Sequence, residues 1–465
     1  MARASESARV RRSPRSGTAA GGKTVTREAP GKPSEAGKRG DRTPARHAKR
    51  VPTPGPFRSY QGQHRPLAEG AGFRGVFALA EFRALWAAQF LSVAGDQFAR
   101  VALTVLVYER TRSPLLAAAA YAASIAPLFV GGVLLSGLAD RWPRREVMIA
   151  CDLARVPLTA LMAVSGLNTV ELIGLLCAVT AIGAPFGSAR AAIYPDVLGD
   201  AYPVGTAVTM ATYQTAQVLG FVSAGAMVAF AGARTALLSD AGTFLASALA
   251  VALWVHRRQP SRPARTYDQA HGGIKGALRL TLGNQSVRTP MLLGWVSWAY
   301  NVPEGLAVPL ARATGGGPIA ASSIMAAAAL GSSAGAVALV RMAAPAARQR
   351  LTAPLAFMAC AILTAVVLRP GLPGILVILF ASGLCDCYQV QANAAFVAAV
   401  PDSQRGQAFG LALGGMQVGQ GAAMLAAGAA AQSTGPWLAI AAAGAAGALA
   451  AALIWISARG QGDLA

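Results

Sequence analysis

Residues Gly131–Met148 read GGVLLSGLADRWPRREVM, and this stretch decides what kind of chain it is. An apolar run stops at Asp140-Arg141, Trp142-Pro143 breaks the backbone, Arg144-Arg145 follow, and a second apolar run begins. That is one membrane helix ending, a very short basic hairpin, and the next helix starting. Three arginines in so short a loop are costly to carry through a bilayer, so the loop stays on the cytoplasmic side. Asp140 gains nothing from lipid. It needs a local partner, either the arginines or the positive N-terminal end of a neighbouring helix.

Outward from the hairpin, the composition agrees. Of 465 residues, 54% are hydrophobic and only 13% charged, which excludes an ordinary soluble domain. Net charge is +21, yet residues 1–65 alone carry 16 Lys/Arg against 4 Asp/Glu. Residues 1–75 therefore read as a disordered basic cytoplasmic tail, with no apolar core of a signal peptide behind its early charges. Gly17 to Thr24 (GTAAGGKT) satisfies a phosphate-loop pattern, but no strand precedes it and no helix follows, so nucleotide binding is not expected. Nor is nucleic-acid binding, because a topology signal and attraction to anionic lipid account for the tail's charge.

Apolar runs of about 20 residues, the length a bilayer core requires, give twelve spans. They divide into a first bundle over 76–258, a cytoplasmic linker over 259–287, a second bundle over 288–457 and a short tail over 458–465. Sixteen Lys/Arg fall on loops of the hairpin's side against five on the other, tail excluded, which puts both termini inside. A faint repeat crosses the linker. Pro195-Asp196 precedes a span containing Gln217-Val218, and Pro401-Asp402 precedes one containing Gln417-Val418. The expectation is an all-α protein of the cytoplasmic membrane, monomeric, with twelve helices in two pseudo-symmetric six-helix bundles.

The pattern Gly137-x-x-Asp140-Arg141-x-x-Arg144-Arg145 resembles the loop 2–3 signature of the major facilitator superfamily of secondary transporters, departing from it at Pro143, where the family usually has Gly. The resemblance extends through Pro401-Asp402-Ser403-Gln404-Arg405-Gly406 and covers residues 80–457. It implies alternating access by rocking of two parallel halves, and a cytoplasmic gate of Gly137, Asp140, Arg141, Arg144 and Arg145 in which Asp140 meets the start of the eleventh helix. EFRALWAAQFLSVAGDQ, from Glu81, resembles the branch of siderophore and drug exporters. Gly220-Phe221-Val222-Ser223-Ala224-Gly225 keeps the glycines of the antiporter element but has Phe221 where that element has proline. The implied activity is proton-linked efflux of an amphiphilic small molecule. The alternatives are an importer or uniporter of the same fold, or a receptor or scaffold signalling through its tail.

Ionisable groups inside spans are rare and costly, so each is a functional candidate. Asp96 and Arg100 stand one turn apart and are expected to pair, with Asp96 taking a proton when the arginine moves. Glu304 sits in Asn301-Val302-Pro303-Glu304-Gly305, a helix-breaking sequence of the kind that exposes backbone to ligands. Asp386, Gln389 and Asn393 make a polar run expected to face a cavity. Asp152 and Arg155 are assigned to the gate beside Arg144. The five cysteines lie in apolar runs and read as packing residues, and the four histidines lie in the tail or around the linker. No enzyme, metal or cofactor signature is present.

Overall fold

The computed structural model describes residues 73–135, 141–258, 278–279, 281–401 and 404–459, and all its regular elements are helical. Gly137, Asp140, the residues of the phosphate-loop pattern, Asp402 and most of the linker lie outside the described residues.

A short lead-in, α1 (Phe73–Ala78), precedes α2 (Ala80–Thr111); α3 (Pro114–Ala122) and α4 (Pro127–Leu135) follow as one bent rod. Ser113 caps α3, its side chain accepting from the Leu116 N–H at 3.3 Å. Next come α5 (Arg144–Met162) and α6 (Thr169–Leu198). Asn168 and Glu171 start α6 with a reciprocal capping box: each side chain accepts the other's backbone N–H, at 2.9 and 2.8 Å.

After a single 3₁₀ turn, α7 runs over Tyr202–Trp254 as two limbs broken at Gly232, where φ is 86° and ψ 161°. That backbone region is essentially reserved for glycine.

The second run opens with a helix in pieces, as the Pro-Gly sequence predicts: α8 (Gln285–Trp295), α9 (Ser297–Tyr300), α10 (Val302–Gly305) and α11 (Ala307–Ala313). Then α12 (Pro318–Met342), α13 (Pro345–Ala361) with a 3₁₀ extension, α14 (Gly371–Asp386) and α15 (Tyr388–Ala399) lead to α16 (Arg405–Arg459). The last helix is broken at Gly435 with φ 81° and ψ 163°, repeating the geometry of Gly232.

Among the described residues seven stretches are long and apolar enough to cross a membrane, and two of them, over 169–254 and 407–459, far exceed one crossing. Positive φ marks helix junctions at Arg112, Gly166, Gly232, Gly315, Arg369, Gly371 and Gly435, as well as at Gly199. Large apolar side chains such as Leu134, Phe230, Leu253 and Ile456 are exposed, an arrangement suited to lipid rather than water. Between helices the fit is close. A Cβ on Gly331 or Gly335 would strike the backbone of α14, and one on Gly383 would strike that of α12, so small residues set this crossing. The molecule is an all-α, multi-pass membrane protein.

Candidate functional site

Residues 80–254 and 285–459 enclose a cavity of about 1090 Å³. Its wall takes Asp96, Arg100, Arg155 and Arg190 from the first run and Gln407 and Gln417 from the second. A second cavity of about 370 Å³ shares Arg100, Ser124 and Tyr213 with it and continues to Glu304 and Asp386. Both acids stand at helix breaks, Glu304 within α10 and Asp386 at the last residue of α14.

The first wall differs from the sequence expectation. Asp96 does not pair with Arg100. Its Oδ1 accepts from Nη2 of Arg155 at 2.5 Å, an ion pair between α2 and α5. Arg100 turns the other way: it donates to Gln97 at 3.0 Å and the Ser124 carbonyl at 3.4 Å, and lies over the Tyr121 ring. One turn of spacing puts two side chains on the same face, but Arg155 from the facing helix reaches the carboxylate first.

Asp152 and Arg155 therefore belong to the interior rather than to the gate. Arg155 Nη1 is 3.8 Å from Asp152, and its guanidinium covers the Phe244 ring at 3.8 Å. Arg190, taken from the sequence as a loop charge, sits inside α6 and faces the cavity. Neither Arg100 nor Arg190 has a carboxylate within ion-pair distance among the described residues.

In the second wall, hydroxyls hold the acids. Tyr121 donates to Glu304 across the two runs. Asp386 accepts from Tyr300 and, at 2.8 Å, from Ser332. Gln389 supports this arrangement by donating to the Tyr300 oxygen at 2.8 Å and to the Gly294 carbonyl at 3.0 Å. Asn393 does not join it; the residue is exposed and lines neither cavity. Sequence reasoning also missed Asp240, a fully buried acid on the second limb of α7 that borders the larger cavity. Its signal was there to read: a lone carboxylate in the apolar run LLSDAGTF. Tyr121 and Tyr300 carried no such signal, since a tyrosine in an apolar run reads as packing.

The two ends of the cavity differ. At one end Arg144 donates to the Ala192 carbonyl at 2.7 Å and pairs with Asp196 at 3.1 Å, and Arg145 donates to the Ala252 carbonyl. These contacts join α5 to α6 and α7 inside the first run, while Arg141 is exposed. The larger cavity reaches toward this end, past Gly132, Ala191 and Gln407. At the opposite end the two runs are tied together, by Arg312 to Glu109 at 2.5 Å and by Gln432 to Ser113 at 2.9 Å. Among the described residues no group of His, Cys, Asp and Glu is arranged to hold a metal ion.

The family model of the Major Facilitator Superfamily matches residues 85–304. No curated protein matches the chain. Solved structures share the fold. A crystal structure of peptide transporter POT in complex with sulfate superposes with a TM-score of 0.66 at 13% identity, covering 85% of this chain and 97% of that one. For nucleoside transporter NupG, in a mutant form, the values are 0.62 and 14%, with 80% and 99% covered. For a bacterial homolog of the human lysosomal transporter Spinster, inward-facing and unoccupied, they are 0.60 and 14%, with 82% and 97% covered. These structures are of peptide, nucleoside and Spinster-type transporters, and the likeness to siderophore and drug exporters has no counterpart among them. The fold and the family match point to a transporter, not to a catalyst.

Proposed function

We propose that this chain, a member of the major facilitator superfamily by its match over residues 85–304 and by its fold, is a proton-linked secondary transporter that moves a small polar molecule by alternating access. The observation that carries the reading is a charged cavity between two helical runs whose described residues are tied together at the end of Glu109 and Arg312.

Twelve crossings in two six-helix bundles account for the chain. On this reading the junctions at Arg112, Gly166, Gly232, Gly315, Arg369 and Gly435 are six hairpin turns, each joining two crossings; the contacts Glu109–Arg312, Arg110–Leu167 and Ser113–Gln432 support one side for those at Arg112, Gly166, Gly315 and Gly435. The opposite side, with Arg141, Arg144 and Arg145, is then cytoplasmic by its arginines. On this reading the cavity serves the cytoplasmic face, and Arg144 with Asp196 steadies that end of the first bundle for the rocking motion.

The cavity fits a polar solute better than the amphiphile expected from sequence. Arg100 and Arg190 present guanidinium groups that have no carboxylate partner among the described residues, which suits an anionic group on the solute. Glu304, Asp386 and Gln389 are the polar side of the second wall. Uptake or facilitated passage is favoured over efflux, in keeping with the peptide and nucleoside transporters that share the fold. Asp96 is the coupling group: it faces the cavity, and protonation removes the charge that holds Arg155.

The test is a panel of small anions, zwitterions and amphiphiles in proteoliposomes with an imposed pH gradient. A polar anion or zwitterion is expected to accumulate with proton entry; extrusion of amphiphiles alone would overturn the uptake reading. Deleting residues 1–70 is expected to leave transport intact, whereas a receptor signalling through its tail would lose its activity.

A further inference from the structure

Behind the Asp96–Arg155 pair lies a buried polar layer that the transport reading does not use. Asp152 stands on α5 one turn before Arg155, and Asp240 on the second limb of α7, which packs against α5; both are fully buried. Neither carboxylate oxygen of Asp152 has a hydrogen-bond partner, nor does Oδ2 of Asp240. The hydroxyl of Thr159 on α5 is also without a partner, and that of Ser247 on α7 is the group placed to donate to Asp152. The Thr243 hydroxyl, 3.3 Å from Asp240 Oδ1, already donates to the Asp240 carbonyl at 2.7 Å. Gly95 lets α2 close directly over this layer, since a Cβ there would run into the side chains of Thr243 and Asp240.

The charges do not balance. Asp96, Asp152 and Asp240 surround one guanidinium, Arg155, at 2.5 Å from the first and 3.8 Å from the second. Arg190 also faces Asp152 from α6, but it makes no ion pair within 4 Å and lies over the Phe186 ring, and Cys151 adds no cation. Three ionised carboxylates would leave two uncompensated charges in a dry interior, and a buried carboxyl in that position takes a proton instead.

We propose that Asp152 and Asp240 form a proton-binding site between α5 and the second limb of α7, and that Arg155 links this site to Asp96 at the cavity wall. The link follows from the sharing of one cation. When Asp96 takes a proton from the cavity, Arg155 is released toward Asp152, whose ionised form it then stabilises, and the proton of Asp152 passes out to the water of the cavity, so that one proton enters for each that leaves. When Asp96 loses its proton, the exchange reverses. Asp240, beyond ion-pair distance of Arg155, keeps its proton throughout and holds the layer neutral. The use made of the site rests on the transporter reading; its occupancy rests on the charges alone.

The experiment is infrared difference spectroscopy of the purified full chain in lipid nanodiscs at neutral pH, reading the C=O stretch of protonated carboxylic acids and its shift in D₂O. The wild type is expected to show this band, Asp240→Asn and Asp152→Asn each to lose part of it, and the double variant to lose both parts. Asp240→Glu guards against misfolding of the Asn forms and is expected to keep the band at a displaced frequency. A wild-type spectrum lacking the band, or one unchanged in the double variant and in Asp240→Glu, overturns the proposal. So does loss of the band when sodium replaces potassium, which would make the site one for a metal cation. Absence of transport with the band present removes the transporter reading and leaves the site standing; transport without the band does the reverse.

Discussion

The two helical runs use the same backbone device and fill it with different chemistry. In the first, the helix over Tyr202–Trp254 turns at Gly232; in the second, the helix over Arg405–Arg459 turns at Gly435, with φ and ψ within about 5° of each other. Yet the first wall balances carboxylates against a guanidinium, Arg155, while the second holds Glu304 and Asp386 with the hydroxyls of Tyr121, Tyr300 and Ser332. The difference has a physical meaning. An ion pair is lost when its acid is protonated, so the first wall must rearrange. A hydroxyl donates to a carboxylate and accepts from a carboxylic acid with the same atoms in place, so the second wall keeps its shape in either state. On the transporter reading proposed above, a repeated backbone turn would serve one wall that responds to protons and one that stays constant for the solute.

Removing the cation that pairs with the carboxylates of the first wall should give the largest effect. Arg155→Met leaves Asp96 uncompensated, and breaking a buried pair costs about 3–5 kcal/mol. The low end is expected here because Asp96 is 36% exposed to the cavity. Thermal unfolding in micelles checks this; an unchanged midpoint would mean that the first wall is no more charge-dependent than the second. For the second wall, Tyr300→Phe removes one donor to Asp386 but leaves Ser332, for a loss of about 1.5–3 kcal/mol in the same assay.

The backbone side of the comparison is sharpened by Gly232→Ala and Gly435→Ala. Each forces a side chain into a region reserved for glycine, at about 1–3 kcal/mol, and the two losses should be equal. Unequal losses would show that the repeat is one of trace only. Smallest is Glu109→Gln, which removes an ion pair whose partners are 43% and 37% exposed. Such pairs contribute about 0–1 kcal/mol, so the population tied at that end should fall by at most about fivefold. Distance measurements between spin labels on α2 and α12 would read the shift.

Much of the architecture could be read from the chain. Apolar length marked an all-α, multi-pass chain, and the two long helices break at Gly232 and Gly435 because only a polar or glycine-bearing turn can interrupt so greasy a run. Asn301–Gly305 foretold a broken helix, and the structure has one. The partners of the charges could not be read. Spacing along one helix suggested Arg100 for Asp96, but packing brought in Arg155 from 59 residues away. Asp240 was visible as an acid in an apolar run, whereas its neighbours Asp152 and Arg155 were drawn to the wrong place by their nearness in sequence to Arg144. Tyrosine donors left no trace in the pattern, because their rings pack like any other apolar side chain.

Asp96→Asn in proteoliposomes separates coupling from passage most directly, with solute exchange at equal pH and accumulation under an imposed pH gradient measured on the same preparation. The account predicts that exchange survives and gradient-driven accumulation is lost, since an amide can still accept from Arg155 but cannot give up a proton. Accumulation at wild-type rates would contradict it, and would make Asp96 a fixed structural partner of α5.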